Sequence, residues 1–253
     1  MIDRVICGDC VSVMGEIPDE SIDLTVTSPP YDNLREYNGY SFDFESVAKE
    51  LYRVTKDGGV VVWVVGDSTV DGSESGTSFK QALYFKEIGF RLHDTMIYAK
   101  NNNPLPEKNR YFQSFEYMFV FSKGKPKTFN PIKDRKNINA GLVKSKSSIR
   151  NKDGSTSITK TSVVQDFGAR KNIWTIDCGY MKSTKNKESY KHPAIFPDKL
   201  AEDHILTWSN VGDTVLDPFA GSGTTLRMAK NNNRRYIGIE ISPEYVEIIS
   251  NSL

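Results

Sequence analysis

Cysteine and histidine are scarce in this chain of 253 residues, three of each, and long apolar runs are missing. Cys7, Cys10 and Cys178 are too few for a disulfide framework of the secreted kind. Cys7-Gly8-Asp9-Cys10 has the spacing of a redox or zinc pair, but such a site needs a second pair or nearby histidines. His93, His192 and His204 are scattered instead, so no metal is expected. The longest wholly apolar stretch, Val60 to Val65, falls far short of the ~20 residues that cross a bilayer. Met1-Ile2-Asp3-Arg4 leads straight into a strand-like run, without the features of a secretory leader. These absences point to a soluble, cytoplasmic protein with no membrane partner. A dominant charge of one sign is missing too. The formal net charge is +1, so the whole-chain field does not announce a polyanionic partner.

What is present is enough chain for one large α/β domain with an insertion. Residues 1–100 alternate short apolar runs with helical patterns, as a parallel α/β sheet does. Strands are expected at Arg4–Cys7, Ile22–Thr27 and Gly59–Val65. Phe44, Val47, Ala48, Leu51 and Val54 recur at the spacing of one helix face, with Lys56-Asp57-Gly58-Gly59 as the stop. A second helix is expected over Ser78–Ile88. Phe90–Ala99 and Phe115–Ser122 read as an antiparallel pair at one edge of the sheet, around the polar stretch 101–110. From Lys123 to about Lys191 the pattern dissolves into Lys, Ser, Asn and Gly, with Ile173-Trp174-Thr175-Ile176 as one compact apolar island. Between 123 and 160, nine Lys with Arg135 and Arg150 face only Asp134 and Asp153, a plausible phosphate footprint. Order returns at Pro197, where a helix begins. The strand 213–217, a helix from Thr225 to Lys230, the strand Arg235–Glu240 and a last helix opened by Ser242-Pro243-Glu244 follow. Three regions result: residues 1–122, an inserted irregular basic region 123–190, and residues 191–253, the first and last forming one domain.

Two motifs carry chemistry. Asp217-Pro218-Phe219-Ala220-Gly221-Ser222-Gly223-Thr224-Thr225 is a strand-turn-helix whose glycines let backbone pass close to a ligand. Glu240 falls one βαβ step onward, where an acid accepts hydrogen bonds from ribose hydroxyls. The turn lacks the Lys-Ser/Thr pair or third spaced glycine of a phosphate-gripping loop, and Asp217 would repel a pyrophosphate. A sulfonium with an amino-acid tail suits this acidic lip better, so S-adenosylmethionine is favoured over NAD and ATP. The second motif, Thr27-Ser28-Pro29-Pro30-Tyr31, follows a buried-strand pattern as a rigid loop with an aromatic tip.

The nine-residue glycine motif resembles the cofactor motif of the amino-methylating DNA methyltransferases, and Thr27–Tyr31 resembles their catalytic motif. With the catalytic motif early and the cofactor motif late, the order is similar to the β class of the N4-cytosine/N6-adenine family. His192-Pro193-Ala194-Ile195-Phe196-Pro197 and Gly8-Asp9-Cys10 are similar to that class as well. The resemblance covers nearly the whole chain except about 123–171. It implies a Rossmann-like, seven-stranded, mostly parallel sheet with helices on both faces, and a target-recognition role for the basic insertion. It implies that Asp217, Phe219, Gly221 and Gly223, with Ser222 and Thr224 of the same turn, hold S-adenosylmethionine. Glu240 would bind the ribose, and Asp9 and Cys10 would border the adenine. Double-stranded DNA is the implied partner. A restriction endonuclease and the choice between monomer and homodimer stay open.

The chemistry fits the loop. An exocyclic amine on a base is a poor nucleophile because its lone pair is delocalised into the ring. Ser28 Oγ and the Pro29 carbonyl can each accept one N–H, while Pro29 and Pro30 stiffen the loop and remove competing donors. Tyr31 offers a face for stacking on an extruded base. Asp67 could supply a further acceptor or cap a helix, and Arg35 and Tyr37 could touch DNA. A leading Ser resembles N4-cytosine enzymes, whereas Asp or Asn is more usual for N6-adenine, so N4-cytosine is favoured and N6-adenine remains the alternative. Methylation of a protein glutamine or an RNA base, and an inactive DNA-binding regulator with the same fold, are the rival classes.

Overall fold

A computed structural model describes residues 1–30, 42–101, 109–192 and 195–253. Tyr31, Arg35, Tyr37, Asn102 and Asn103 therefore lie outside the described residues, as do Pro193 and Ala194. The chain divides into two compact units, one of residues 1–130 with 172–253, the other of Pro131–Lys171.

The larger unit is built on eight strands: β1 (Arg4–Cys7), β2 (Ile22–Thr27), β3 (Thr55–Val65), β4 (Arg91–Lys100), β5 (Phe115–Ser122), β6 (Ile173–Ile176), β7 (Thr214–Asp217) and β8 (Arg235–Glu240). Their spatial order is β1-β8-β7-β2-β3-β5-β4-β6. All neighbours are parallel except β5, which runs antiparallel to both β3 and β4. Among the described residues six α-helices accompany them: α1 (Cys10–Met14), α2 (Phe44–Val54), α3 (Thr77–Glu87), α4 (Asp198–Trp208), α5 (Thr224–Asn231) and α6 (Pro243–Ser252). No described helix is long and apolar enough to cross a membrane.

The central strands are apolar on both faces because helices cover both sides. Every residue from Val60 to Val65 is buried, which explains a run of apolar residues without alternation. The face of α2 expected from its spacing is the buried one, with Val47, Ala48, Leu51 and Val54 inside. Asp43 caps that helix by accepting from the Ser46 amide.

Three expectations are revised. The helix 44–54 does not end at the glycine pair but passes through Thr55 directly into β3. Between Ile22↔Thr55 and Leu24↔Val60 the register shifts, so Lys56, Asp57 and Gly58 bulge out of the ladder, with Gly58 at φ +79°. The antiparallel pair β4/β5 forms in register, Ala99 opposite Phe115, but it is not the edge. The apolar island 173–176 adds outside β4 as an eighth strand, one more than the resemblance implies. Trp174 and Ile176 are buried and Ile173 is exposed, the alternation of a strand covered on one face.

The smaller unit, read from sequence as irregular, is a nested antiparallel ribbon. Residues 135–136 pair with 167–168, 143–144 with 162–163, and 148–150 with 156–158. The turn at its tip is closed by Asn151 N to Ser155 O at 2.7 Å and Gly154 N to Asn151 O at 3.0 Å. An Arg170–Asp134 ion pair of 2.5 Å clips the two ends of the ribbon together.

Helix α5 packs on β8 through Gly238. A Cβ there would meet Leu226 Cδ1 at 2.2 Å, and Leu226 is fully buried. Gly238→Ala is expected to cost about 1–3 kcal/mol by overpacking, read as a lower urea midpoint at unchanged slope.

Candidate active site

Strands β2 and β7 are parallel neighbours, Val215 opposite Leu24 and Leu216 opposite Thr25. Their carboxyl ends therefore deliver the Ser28-Pro29-Pro30 loop and the glycine turn to the same edge of the sheet, where ligands bind in open α/β sheets. The two loops are tied directly. Thr27 Oγ1 donates to Asp217 Oδ1 at 2.6 Å, and Thr225 Oγ1 donates to the Val26 carbonyl at 3.1 Å. Both bonds are buried, where an unmet partner would be costly.

The turn itself is held from β8. Ala220 N donates to Ile239 O at 2.9 Å, and Gly221 N donates to Glu240 Oε2 at 2.8 Å. Glu240 Oε1 accepts from Ser242 N at 2.9 Å, and its carbonyl accepts from Gly8 N at 3.0 Å. Gly221 and Gly223 stand at φ +53° and +77°, backbone that side chains with a Cβ rarely adopt. A Cβ on Gly221 would also press on the His192 ring at 3.3 Å, and one on Gly223 would meet Ile249 at 2.8 Å.

Burial sets the electrostatics. Desolvation pushes the Asp217 carboxyl up to about 6, against the pull of hydrogen bonds from Thr27, the Phe219 amide and Thr225, and with a small upward push from Glu240. Desolvation also raises Glu240, opposed by the amides of Ser242, Gly221 and Ile241. Burial, then the neighbouring Asp9 charge, push the Cys10 thiol up to about 12. Cys10 is thus a neutral small side chain, not a nucleophile. Asp9 caps α1 by accepting from Ser12 N at 2.9 Å.

One cavity of about 1020 Å³ gathers these groups. It is lined by Asp9, Cys10, Ser28, Pro29, Pro30, Asp217, Phe219, Gly221, Ser222, Thr224 and Glu240. Gly223 is not on its wall; it serves as the N-cap of α5. Phe219 both lines the cavity and packs edge-on against Phe42 and Trp63, with centroids at 5.4 and 6.3 Å. Asp67 is elsewhere, its carboxylate accepting from Ser78 N at 2.9 Å and from the Ser75 and Ser78 hydroxyls. It caps the start of α3. The wall also contains residues that sequence reading passed over, chiefly Tyr98, Lys100, Glu116, Cys178 and Tyr180. Their only signal was position at the ends of β4, β5 and β6, which has meaning once the strand order is known.

The raised carboxyl of Asp217 has a consequence for the ligand-free protein. Its contribution to stability is fully present below the unfolded value near 3.8 and is lost as pH rises through about 6. Asp217→Asn keeps the acceptor for Thr27 and Phe219 while removing that dependence. The melting-temperature difference, variant minus parent, should grow more positive between pH 4 and pH 7.5, and a flat difference would refute the burial argument.

Known DNA methyltransferases resemble this chain in sequence and in fold. The N6/N4 methyltransferase family model, described as DNA methylase, matches residues 22–251. The orphan methyltransferase M.BamHII of Bacillus amyloliquefaciens is 63% identical over 239 residues, covering 94% of this chain and 90% of its own. The type II methyltransferase M.MthZI of Methanothermobacter thermautotrophicus is 27% identical, over 95% of this chain and 73% of its own. Among solved structures, a putative DNA modification methylase from Thermus thermophilus, TTHA0409, complexed with S-adenosyl-L-methionine, matches with a TM-score of 0.66 at 26% identity, over 98% of this chain and 91% of that one. The cytosine-N4-specific PvuII DNA methyltransferase matches with a TM-score of 0.70 at 23% identity, over 97% and 84%, a likeness of fold. With a matched span that runs from β2, which carries the proline loop, through the glycine turn and into α6, the chain belongs to the N6/N4 DNA methylase family.

Proposed function

We infer that this DNA methyltransferase transfers a methyl group to the exocyclic N4 of cytosine in double-stranded DNA after flipping the base. The observation that carries this reading is the single cavity shared by Ser28, Pro29 and Pro30 with Asp217, Gly221 and Glu240.

The cofactor is S-adenosylmethionine, which supplies an electrophilic methyl on a sulfonium. The donor set fits it. Two buried carboxylates, Asp217 and Glu240, stand on the wall, and no phosphate-type Lys-Ser/Thr pair follows the glycines. Glu240 Oε2 accepts from the Gly221 amide and Oε1 from Ser242, with the Ile241 amide also facing the carboxylate. A carboxylate has about four acceptor positions, so capacity remains for a ribose hydroxyl. Asp217, Phe219, Gly221, Ser222 and Thr224 would surround the amino-acid and ribose ends. Asp9 and the neutral Cys10 would border the adenine, and Gly223 acts from behind by setting the turn.

On the base side, Ser28 Oγ and the Pro29 carbonyl would accept the two amine hydrogens, freeing the nitrogen lone pair to point at the methyl. Tyr31 would stack on the base. No strong general base is required, because the methylated ammonium is acidic enough to pass its proton to water. Most of the rate would come from alignment for in-line displacement. Flipping costs a few kcal/mol. The basic ribbon 131–171, with ten Lys and Arg against three Asp, would offset it through phosphate contacts, and a two-stranded ribbon is a shape the major groove admits. The Ser at the head of the loop supports cytosine over adenine.

Incubation with radiolabelled S-adenosylmethionine and mixed unmethylated DNA, followed by nucleoside chromatography, should place the label on N4-methylcytosine. Label on N6-methyladenine would overturn the base assignment and leave the transfer chemistry standing. Ser28→Ala should lower turnover by ~10²-fold or more, with cofactor affinity nearly unchanged. Gly221→Val should instead abolish cofactor binding in calorimetry. Equal loss of both properties in each variant would refute this division of labour.

A further inference from the structure

Across the sheet from Ser28, another set of polar side chains faces the same cavity. Lys100 ends β4 and Glu116 stands near the start of the reversed strand β5. Tyr98 is directly opposite Glu116, and alternate residues share a face, so Tyr98, Lys100 and Glu116 project to one side. Lys100 Nζ lies 2.5 Å from Glu116 Oε1, with the side chains 28% and 18% exposed. Gly66, just past β3, lies beside this pair: a Cβ there would make ordinary contact with Glu116 Cγ at 3.6 Å.

Among the described residues lining the cavity, Lys100 is the sole Lys or Arg, whereas carboxylates occur at Asp9, Asp43, Glu116, Asp217 and Glu240. An ammonium has three donors, and Glu116 engages one. A pocket that grips an amine through the acceptors of Ser28 and Pro29 needs donors on the far side of the base. Cytosine presents there its ring N3 and carbonyl O2, while adenine beyond N1 presents only a C–H. Ser28 follows β2 and Glu116 is on β5, two strands away, a gap of ~10 Å at ordinary strand spacing. A six-membered ring with a hydrogen bond of about 2.9 Å at each end fills a gap of that order.

We propose that Lys100, held by Glu116, donates to O2 and N3 of the flipped cytosine, making this ion pair the selector of the target base. The inference rests on the N4-cytosine reading. The test compares the full-length parent, Lys100→Met and Glu116→Gln in the nucleoside assay, with S-adenosylmethionine affinity measured by calorimetry on each. Lys100→Met should lower kcat/KM for DNA about 10- to 100-fold, at cofactor affinity within about twofold of the parent, the latter also certifying the fold. Glu116→Gln, which keeps the shape and frees the ammonium, should show a smaller loss in the same direction. Parent product at N4-cytosine with both variants at parental kcat/KM overturns the inference alone. Loss of cofactor affinity in Lys100→Met at retained melting temperature assigns Lys100 to the cofactor and also overturns it. If Lys100→Met does not fold, Glu116→Gln decides. Parental product at N6-adenine removes both the inference and the reading beneath it.

Discussion

The bond from Thr27 Oγ1 to Asp217 Oδ1, 2.6 Å long and buried, joins residues 190 positions apart in sequence. It exists because β2 and β7 are parallel neighbours that end together, and it fixes the proline loop against the glycine turn. A methyl-transfer site needs two ligands held in line within a few tenths of an ångström. Side chains on loops alone would not give that tolerance, whereas adjacent strands of a fully covered sheet do. The burial that makes this link strong also raises the Asp217 carboxyl, so positional rigidity and an acidic group near neutrality have one cause.

An aromatic cluster carries the same rigidity outward. Phe42 packs against Phe219 at 5.4 Å and over Trp63 at 6.5 Å, and Trp63 in turn donates its indole N–H to Gln81 at 2.9 Å. Phe219 therefore belongs at once to the core and to the cavity wall. Loosening the packing under β3 would be felt at the glycine turn without any change in a residue that faces it.

Local chemistry was legible in the sequence and long-range pairing was not. The glycines of the turn, the prolines of the loop and the spacing of α2 each announce themselves through constraints that act within a few residues. The position of β5 between β3 and β4 follows from pairing choices that no local pattern encodes. So does the use of 173–176 as an edge strand. The ribbon escaped notice for another reason: its apolar residues, such as Ile149, Ile158 and Val163, stay exposed, so there is no buried face to impose a period. Lys100 and Glu116 were unremarkable strand-end residues until the antiparallel register placed them together. Asp67, which by sequence could serve as an acceptor or as a helix cap, takes the second role, its oxygens engaged by Ser75 and Ser78.

Glu240 receives amides at both its ends, from Gly8 to its carbonyl and from Gly221 and Ser242 to its carboxylate. The loop after β1 and the glycine turn thus meet at one residue, together with the segment that directly follows it. Substitution of that side chain would release Gly221 and Ser242 together, while the bond from Gly8, which is to backbone, would persist. The rim at the ends of β4 and β5 is held instead by local contacts, the Lys100–Glu116 ion pair and the bond from Lys100 N to the Ser114 carbonyl. If base choice resides at that rim, as proposed, descendants of this scaffold can acquire new nucleobase preferences by exchanging a few rim side chains, without touching the glycine turn.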